Sequence, residues 1–380
     1  MVPPGPIAEH VATMPLIDHH VHGCWIDSVD RTRFENALNE ANTEPLSADD
    51  APFDTQIGFA LRRWCAPILG LPVHAPADVY WARRAESAEF DVAHRFLRAA
   101  GVSDWVVDTG LPGVADVDLL ARWSGSAAHE VLRLESIAED AVTRGGSYAD
   151  AFDEILAERA RDAVGTKSII AYRGGFDGDL TDPAPAQVED AARRWREVGG
   201  TRLTDRTLLR FGLHRGLRLG KPLQLHVGLG DRDADLHRTN PLLLLDFLRT
   251  SGTTPVMLLH CYPFEREAGY LAQAFSNVYV DVGLAVNHLG ARAPELIARS
   301  LELAPFRKVL YSSDAYGPAE LHYLGAQLWR HGLAKVLQRF VDSDAWALDD
   351  ALRVAELIGS GNARRVYGLT GDVRLTASAR

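Results

Sequence analysis

The sequence predicts an α/β fold, a (β/α)8 TIM barrel with a helical insertion after its first strand, and three observations carry that prediction. Eight short β-rich runs recur along the 380 residues, and after a long gap behind the first of them each is followed by a helix-like segment. Strands alternating with helices imply right-handed crossovers and a parallel sheet, and eight such units close into a barrel. The third observation is chemical: several of these runs end in a histidine or an aspartate, at the strand ends where such barrels carry their chemistry.

The first run, residues 15–22, leads from Leu16 and Ile17 into Asp18, His20 and His22. Residues two apart on a strand point to one side, so both imidazoles project together, which is a metal-chelating arrangement. Residues 25–100 then lack a comparable strand signal. Helical patterns at 31–41, 53–68 and 77–99 are separated by Pro72 and Pro76, and Trp25, Phe34, Phe53, Phe59, Trp64, Tyr80 and Trp81 are suited to pack this stretch down as a lid. The remaining runs are 104–108, 130–137, 166–172, 222–228, 255–261, 278–283 and 309–314. Helices are expected at 147–163, at 185–219 in two pieces broken at Gly199 and Gly200, and at 236–250, 265–275, 293–304 and 320–340. A last helix at 347–359 with an extension over 362–367 ends the barrel, so residues 1–380 read as a single domain.

Composition narrows the function. Hydrophobic residues make up 47% of the chain, enough for a sizeable core, and the net charge of -11 comes with scattered rather than clustered basic residues. Nucleic acid and anionic membranes are therefore not expected partners, and a small-molecule substrate is. Cys24, Cys65 and Cys261 make no paired framework, residues 1–6 lack a basic region followed by an apolar stretch, and no run is long enough to span a bilayer. A cytoplasmic location is the expectation. A homodimer is expected too, from the habit of such barrels.

Four strand ends deliver a candidate polar group: His20 and His22 from strand one, His226 from five, His260 from six and Asp314 from eight, with Lys167 near the start of strand four. Burying any of them unpaired behind apolar strand costs several kcal/mol, roughly, and a divalent metal satisfies the whole set. For any one alone, a hydrogen-bonded core histidine or a Lys167–Asp314 ion pair is the simpler explanation. Around the same mouth, Arg173 after strand four is suited to clamp a carboxylate beside Tyr172. Asp231, Asp233 and Asp235 follow strand five, where they either meet an amino group or form a solvated loop with Arg232. Gln224 faces the lumen one layer below His226, Asp281 is placed behind the ligand histidines, and Trp25, Asp108 and Glu135 are wall residues.

The stretches Ile17-Asp18-His19-His20-Val21-His22, Thr166-Lys167-Ser168, Leu225-His226-Val227-Gly228, Leu259-His260-Cys261 and Ser312-Ser313-Asp314 together resemble the amidohydrolase superfamily of metal-dependent hydrolases. Within it the chain is most similar to the amidohydrolase-related group that includes decarboxylases and domains fused to glutamine-synthetase-like partners. The closing Gly361-Asn362-Ala363-Arg364-Arg365-Val366-Tyr367-Gly368-Leu369 is similar to that group's usual ending. The resemblance implies His20, His22 and Asp314 as ligands of a first metal, usually zinc (Zn2+). It implies His226 as a ligand of that metal, or of a second one together with His260. Lys167 would either bridge two ions as a carboxylated lysine or remain a cation facing Asp314 or a substrate carboxylate. Hydrolysis of a C–N bond in an amide or γ-glutamyl amide follows, with metal-activated water, Asp314 as general base and acid, and His260 polarising the carbonyl if the site is mononuclear. A decarboxylase, lactonase or isomerase fits the same pattern. A non-catalytic binding domain would be expected to lack ligands, and none is missing.

Overall fold

The computed structural model describes residues 5–42, 47 and 50–370, so residues 1–4 and 371–380 of the expected domain lie outside it. Seven strands form one parallel sheet in the order β1 (Leu16–Val21), β2 (Val102–Asp108), β3 (Ala127–Arg133), β4 (Gly165–Ser168), β5 (Leu223–His226), β6 (Val256–Leu259) and β7 (Val278–Val280). Sequential neighbours all the way across are what right-handed βαβ units build, and the fold is TIM-barrel-like. The expected eighth strand is not a regular one. Its backbone nevertheless meets both sheet edges: Leu310 donates to the Val280 carbonyl at 2.9 Å, while His19 donates to Tyr311 at 3.1 Å and Asp314 to His20 at 3.1 Å. The segment turns away from ladder geometry at Asp314, whose φ of 49° lies in the left-handed region.

Two other expectations shift. The third strand occupies Ala127–Arg133 rather than 130–137, because Leu134 already opens the helix Leu134–Thr143. Strand four stops at Ser168 and passes into a 3-10 turn, Ile170–Arg173. Helices Val117–Ser124, Tyr148–Arg159, Pro185–Val198, Arg206–Leu219, Glu265–Ala274 and Ala319–Asp342 cover the sheet, and the break after Val198 falls at Gly199, in the left-handed conformation that only glycine adopts cheaply.

Between β1 and β2 stand the helices Arg31–Asn36, Gln56–Trp64, Ala77–Ala85 and Glu89–Ala99. Phe34 sits at their centre, its ring 6.2 Å from Phe53, 6.3 Å from Tyr80 and 5.5 Å from Trp81. A buried ion cluster ties them to the barrel: Arg84 Nη1 reaches Glu89 at 2.9 Å and its Nε reaches Glu320, on the helix behind segment eight, at 3.0 Å. Below the barrel, Arg330 donates to the carbonyls of Val11, Met14 and Gly101, pinning the helix Pro6–Thr13 to the floor. The lumen is filled by Ile17, Val106, Val131, Met257, Leu259 and Leu310 from the sheet together with Ala363 and Tyr367 from the C-terminal helix. That packed floor leaves chemistry to the opposite rim. Among the described residues no helix is long and apolar enough to cross a membrane.

Candidate metal centre

The strand ends open into a cavity of about 900 Å³ lined by His22, Arg133, Lys167, His226, His260 and Asp314, with Trp25, Glu40, Tyr172, Arg173 and Asp231 higher on its walls. At its base, one ring nitrogen each of His20 and His22 and a carboxylate oxygen of Asp314 all lie within 4.8 Å of one another. His20 Nε2 is 2.9 Å and His22 Nε2 3.5 Å from the same Asp314 Oδ1.

The hydrogen positions make this arrangement informative. Gln224 donates through Nε2 to the His19 carbonyl at 2.8 Å, so its Oε1 is the atom that faces His20 Nδ1 at 2.8 Å. An amide oxygen only accepts, so the proton of His20 is on Nδ1. His22 Nδ1 lies 3.1 Å from the Asp108 carbonyl, which by the same reasoning holds a proton there. Burial drives the pKa of His20 well below its ordinary value and that of His22 down to about 4, so both rings are neutral and both Nε2 atoms are bare lone pairs. Two imidazole lone pairs then face a carboxylate oxygen with no imidazole proton between them, and Lys167 Nζ approaches the His20 lone pair at 3.1 Å. Acceptors converge like this where a cation belongs, and a divalent ion takes neutral imidazoles and carboxylate together.

Neighbouring groups extend the set without all joining it. His260 Nε2 stands 3.4 Å from Asp314 Oδ2, and neither of its ring nitrogens has a hydrogen-bond partner among the described residues. The His226 ring packs 4.7 Å from that of His260, but its Nδ1 meets the Tyr172 hydroxyl at 3.3 Å and its Nε2 is unpartnered. Gly230 permits this packing, since a Cβ there would stand 2.2 Å from the Tyr172 hydroxyl. Lys167 Nζ contacts His20 Nε2 at 3.1 Å rather than pairing with Asp314, and burial lowers its pKa against the pull of Asp108 and Asp314. His260 at φ 68° and Asp314 at 49° are both held in backbone conformations that non-glycine residues adopt at a cost of about 1–3 kcal/mol, a strain that gathers at functional sites.

A family model described as amidohydrolase matches residues 75–369 of the chain. The chain belongs to the amidohydrolase family. Family membership makes it an enzyme and implies a divalent metal; the matched span takes in Lys167, His226, His260 and Asp314 but begins after His20 and His22. The chain is also similar to a candidate metal-dependent hydrolase from Lactobacillus casei ATCC 334, with 28% identity and a TM-score of 0.83 over 95% of this chain and 97% of that one. Uronate isomerase from Thermotoga maritima shares the fold, with a TM-score of 0.63 and 12% identity over 95% of this chain and 96% of that one. Among curated proteins, Protein fluG of Emericella nidulans is 28% identical over 94% of this chain. This amidohydrolase spans about half of that relative's length, 46%.

The electrostatics of this amidohydrolase are set by burial. The Asp314 carboxyl is pushed up to about 6 by burial, against the pull of His22 and Lys167. Burial would lift Asp108 as well, but Arg133 at 2.8 Å outweighs it and holds that carboxyl well below the usual range. Asp281 accepts from the backbone of His260 at 3.0 Å and from His19 Nε2 at 3.0 Å, so it positions the loop after β6 and not the ring of a candidate ligand. Trp25 is a wall residue 2% exposed, with Arg33 stacked over its ring at 5.0 Å. Arg173 makes no ion pair with a described residue; its Nη1 reaches only the Tyr172 carbonyl at 3.3 Å, and its Nε is unpartnered. Asp231 takes the Asp233 amide at 2.8 Å, and Asp233 is paired with Arg202 at 2.8 Å. Asp235 lies outside the cavity lining.

Arg133, Glu40 and Arg202 are among the wall residues that went unread in the sequence. Arg133 is hidden by the displaced reading of strand three, since it was placed mid-strand and not at the rim. Glu40 and Arg202 come from connecting segments with no motif to mark them. Glu40 has no hydrogen-bond or ion-pair partner among the described residues, and burial, with repulsion from Asp314 and Asp231, raises its carboxyl to about 8.

Proposed function

We propose that this chain hydrolyses a C–N bond, of the amide or γ-glutamyl amide type, in a small carboxylate-bearing molecule, with a divalent ion, zinc by expectation, held by His20, His22 and Asp314. The observation that carries the reading is the meeting of two bare imidazole nitrogens and a carboxylate oxygen at the cavity base. His226 and His260, with a carboxylated Lys167, supply ligands for a second ion in a two-metal version. The bound ion would supply Lewis acidity for the attacked carbonyl and for water.

The residues of the chain do the rest. Asp314, the carboxylate of the ligand cluster, accepts a proton from water and returns it to the leaving nitrogen. His260, whose ring nitrogens have no hydrogen-bond partner among the described residues, donates a hydrogen bond to the substrate carbonyl. Arg173, which has no ion-pair partner among the described residues, offers its guanidinium to a substrate carboxylate, and Asp231 and Glu40 offer carboxyls to an amino group. Tyr172, Trp25 and the helices drawn from residues 25–100 act as a lid that limits water.

A decarboxylase of the same superfamily is the second reading. It is favoured by one observation, a cluster of three converging ligands with Lys167 Nζ turned to His20 Nε2 at 3.1 Å. Protein reconstituted with Zn2+ and offered γ-glutamyl amides and aromatic carboxylates separates the two. Amine release from the amides supports hydrolysis. Carbon dioxide release from the carboxylates, with the amides untouched, overturns it.

A further inference from the structure

The C-terminal helix Asn362–Tyr367 does more than plug the barrel. Its last residue, Tyr367, is 7% exposed and sends its hydroxyl into the lumen, where Gln224 Nε2 donates to it at 2.8 Å. The second hydrogen of that amide goes to the His19 carbonyl at 2.8 Å. With both N–H groups committed, Gln224 has one orientation, and Oε1 is turned to His20 Nδ1. On the far side the Tyr367 hydroxyl lies 3.2 Å from His19 Nδ1, and His19 Nε2 donates to Asp281 at 3.0 Å. The chain Asp281, His19, Tyr367, Gln224, His20 crosses the lumen with every donor facing an acceptor, and His19, Gln224, His20 and Asp281 are at most 1% exposed.

From this network we infer that Gln224 and Tyr367 are positioning residues which fix the tautomer of His20, so that the C-terminal helix determines which ring nitrogen His20 presents to a cation. The inference rests on the proposed role of His20 as a ligand. Its physical content is a competition. With the proton on Nε2, His20 would donate to Asp314 Oδ1, 2.9 Å away, and the site would satisfy itself without a metal. With the proton held on Nδ1 by Gln224, that hydrogen bond cannot form, and His20 Nε2 stays an acceptor, met by Lys167 Nζ at 3.1 Å and available to a cation that displaces it. An outer partner that fixes the tautomer of a ligand histidine is commonly worth about 10–100-fold in metal affinity. No other described side chain hydrogen-bonds His20 Nδ1, so the effect is concentrated in one amide.

Three variants test this: Gln224→Met, Tyr367→Phe and the pair together. Histidine ring ¹⁵N spectra of the metal-free proteins, with His20 assigned from a His20→Gln control, report the tautomer directly. Wild type should show a protonated Nδ1 and a bare Nε2 at His20, and Gln224→Met should move the proton toward Nε2. Competition with a chelating dye should show Zn2+ bound about 10–100-fold more weakly by Gln224→Met and less severely weakened in Tyr367→Phe. Because Tyr367 acts through Gln224, the double variant should be no worse than Gln224→Met alone. Fully additive losses, or unchanged His20 nitrogens with unchanged affinity, overturn the relay. If Gln224→Met does not fold, Tyr367→Phe decides alone, since it removes one oxygen and keeps the ring. A wild type that binds no Zn2+ removes the proposed function, while the His20 tautomer in that same metal-free protein still decides the relay.

Discussion

Metal binding at this site should be pH-dependent in a way set by Asp314. In the metal-free protein burial raises its carboxyl to about 6, above the ordinary value of 3.8, whereas burial holds His22 at about 4 and His20 well below its ordinary value. The folded protein therefore holds a proton on Asp314 at pH 5 that it has lost at pH 7.5, and an ion must displace that proton. With one group at about 6, moving from pH 7.5 to 5 should weaken Zn2+ binding about tenfold, close to 1.4 kcal/mol. The sign for stability runs the same way: a raised carboxyl destabilises the metal-free fold at neutral pH, and that penalty is relieved as pH falls from about 6 toward 3.8. The assay is a competition titration against a chelator of known pH dependence, from pH 5 to 7.5, on wild type and Asp314→Asn. Wild type should lose affinity below pH 6, whereas the variant should bind weakly and with little slope. A flat wild-type profile, or a slope of two protons, would refute the assignment of Asp314 as the titrating ligand.

Other perturbations follow from the same geometry. Asp314→Asn should leave the far-UV spectrum unchanged while turnover drops about 10²–10⁴-fold, the usual share of a general acid–base group; a rate near wild type removes it as the proton carrier. Arg173→Ala should raise the Michaelis constant for carboxylate-bearing substrates by about 10–100-fold, from the loss of a charge-assisted hydrogen bond of about 1.5–3 kcal/mol. Equal effects on neutral analogues would contradict the clamp. Arg84→Met leaves Glu89 and Glu320 buried without their cation and should cost about 3–5 kcal/mol in chemical denaturation; a loss below 1 kcal/mol would mean the cluster does not hold the helices of residues 77–99 to the barrel.

How much of this was legible in the sequence depended on whether the information was local. Runs such as Val256–Leu259 followed by His260 announce both a strand and the end of it that faces the cavity. The same logic picked out His20, His22, His226 and Asp314, and the fold gathers them at one rim. Strand three misled because Val131 and Leu132 are flanked by Leu134 and Ile137, which belong to the next helix, so the apolar spacing reads through the boundary. That slip concealed Arg133, whose place at the strand end is what makes it part of the cavity. The seventh run was overextended for a related reason: β7 ends at Val280, and Asp281 leaves the ladder to bind the backbone amides of His260 and Gly283. The helix Gly283–Leu289 was missed with it. Gln224 was read only as a lumen residue, and Tyr367 only as part of a familiar ending. Their contact joins positions 143 residues apart, which no periodicity reports.

The most direct measurement is the divalent metal content of the purified chain, by elemental analysis after incubation with Zn2+ and dialysis, compared between wild type and His22→Ala. Wild type should retain at least one ion per chain and the variant should lose it while keeping its helical spectrum. Equal occupancy in the two proteins, or none in wild type, would mean that the three groups at the base of the cavity do not hold a metal.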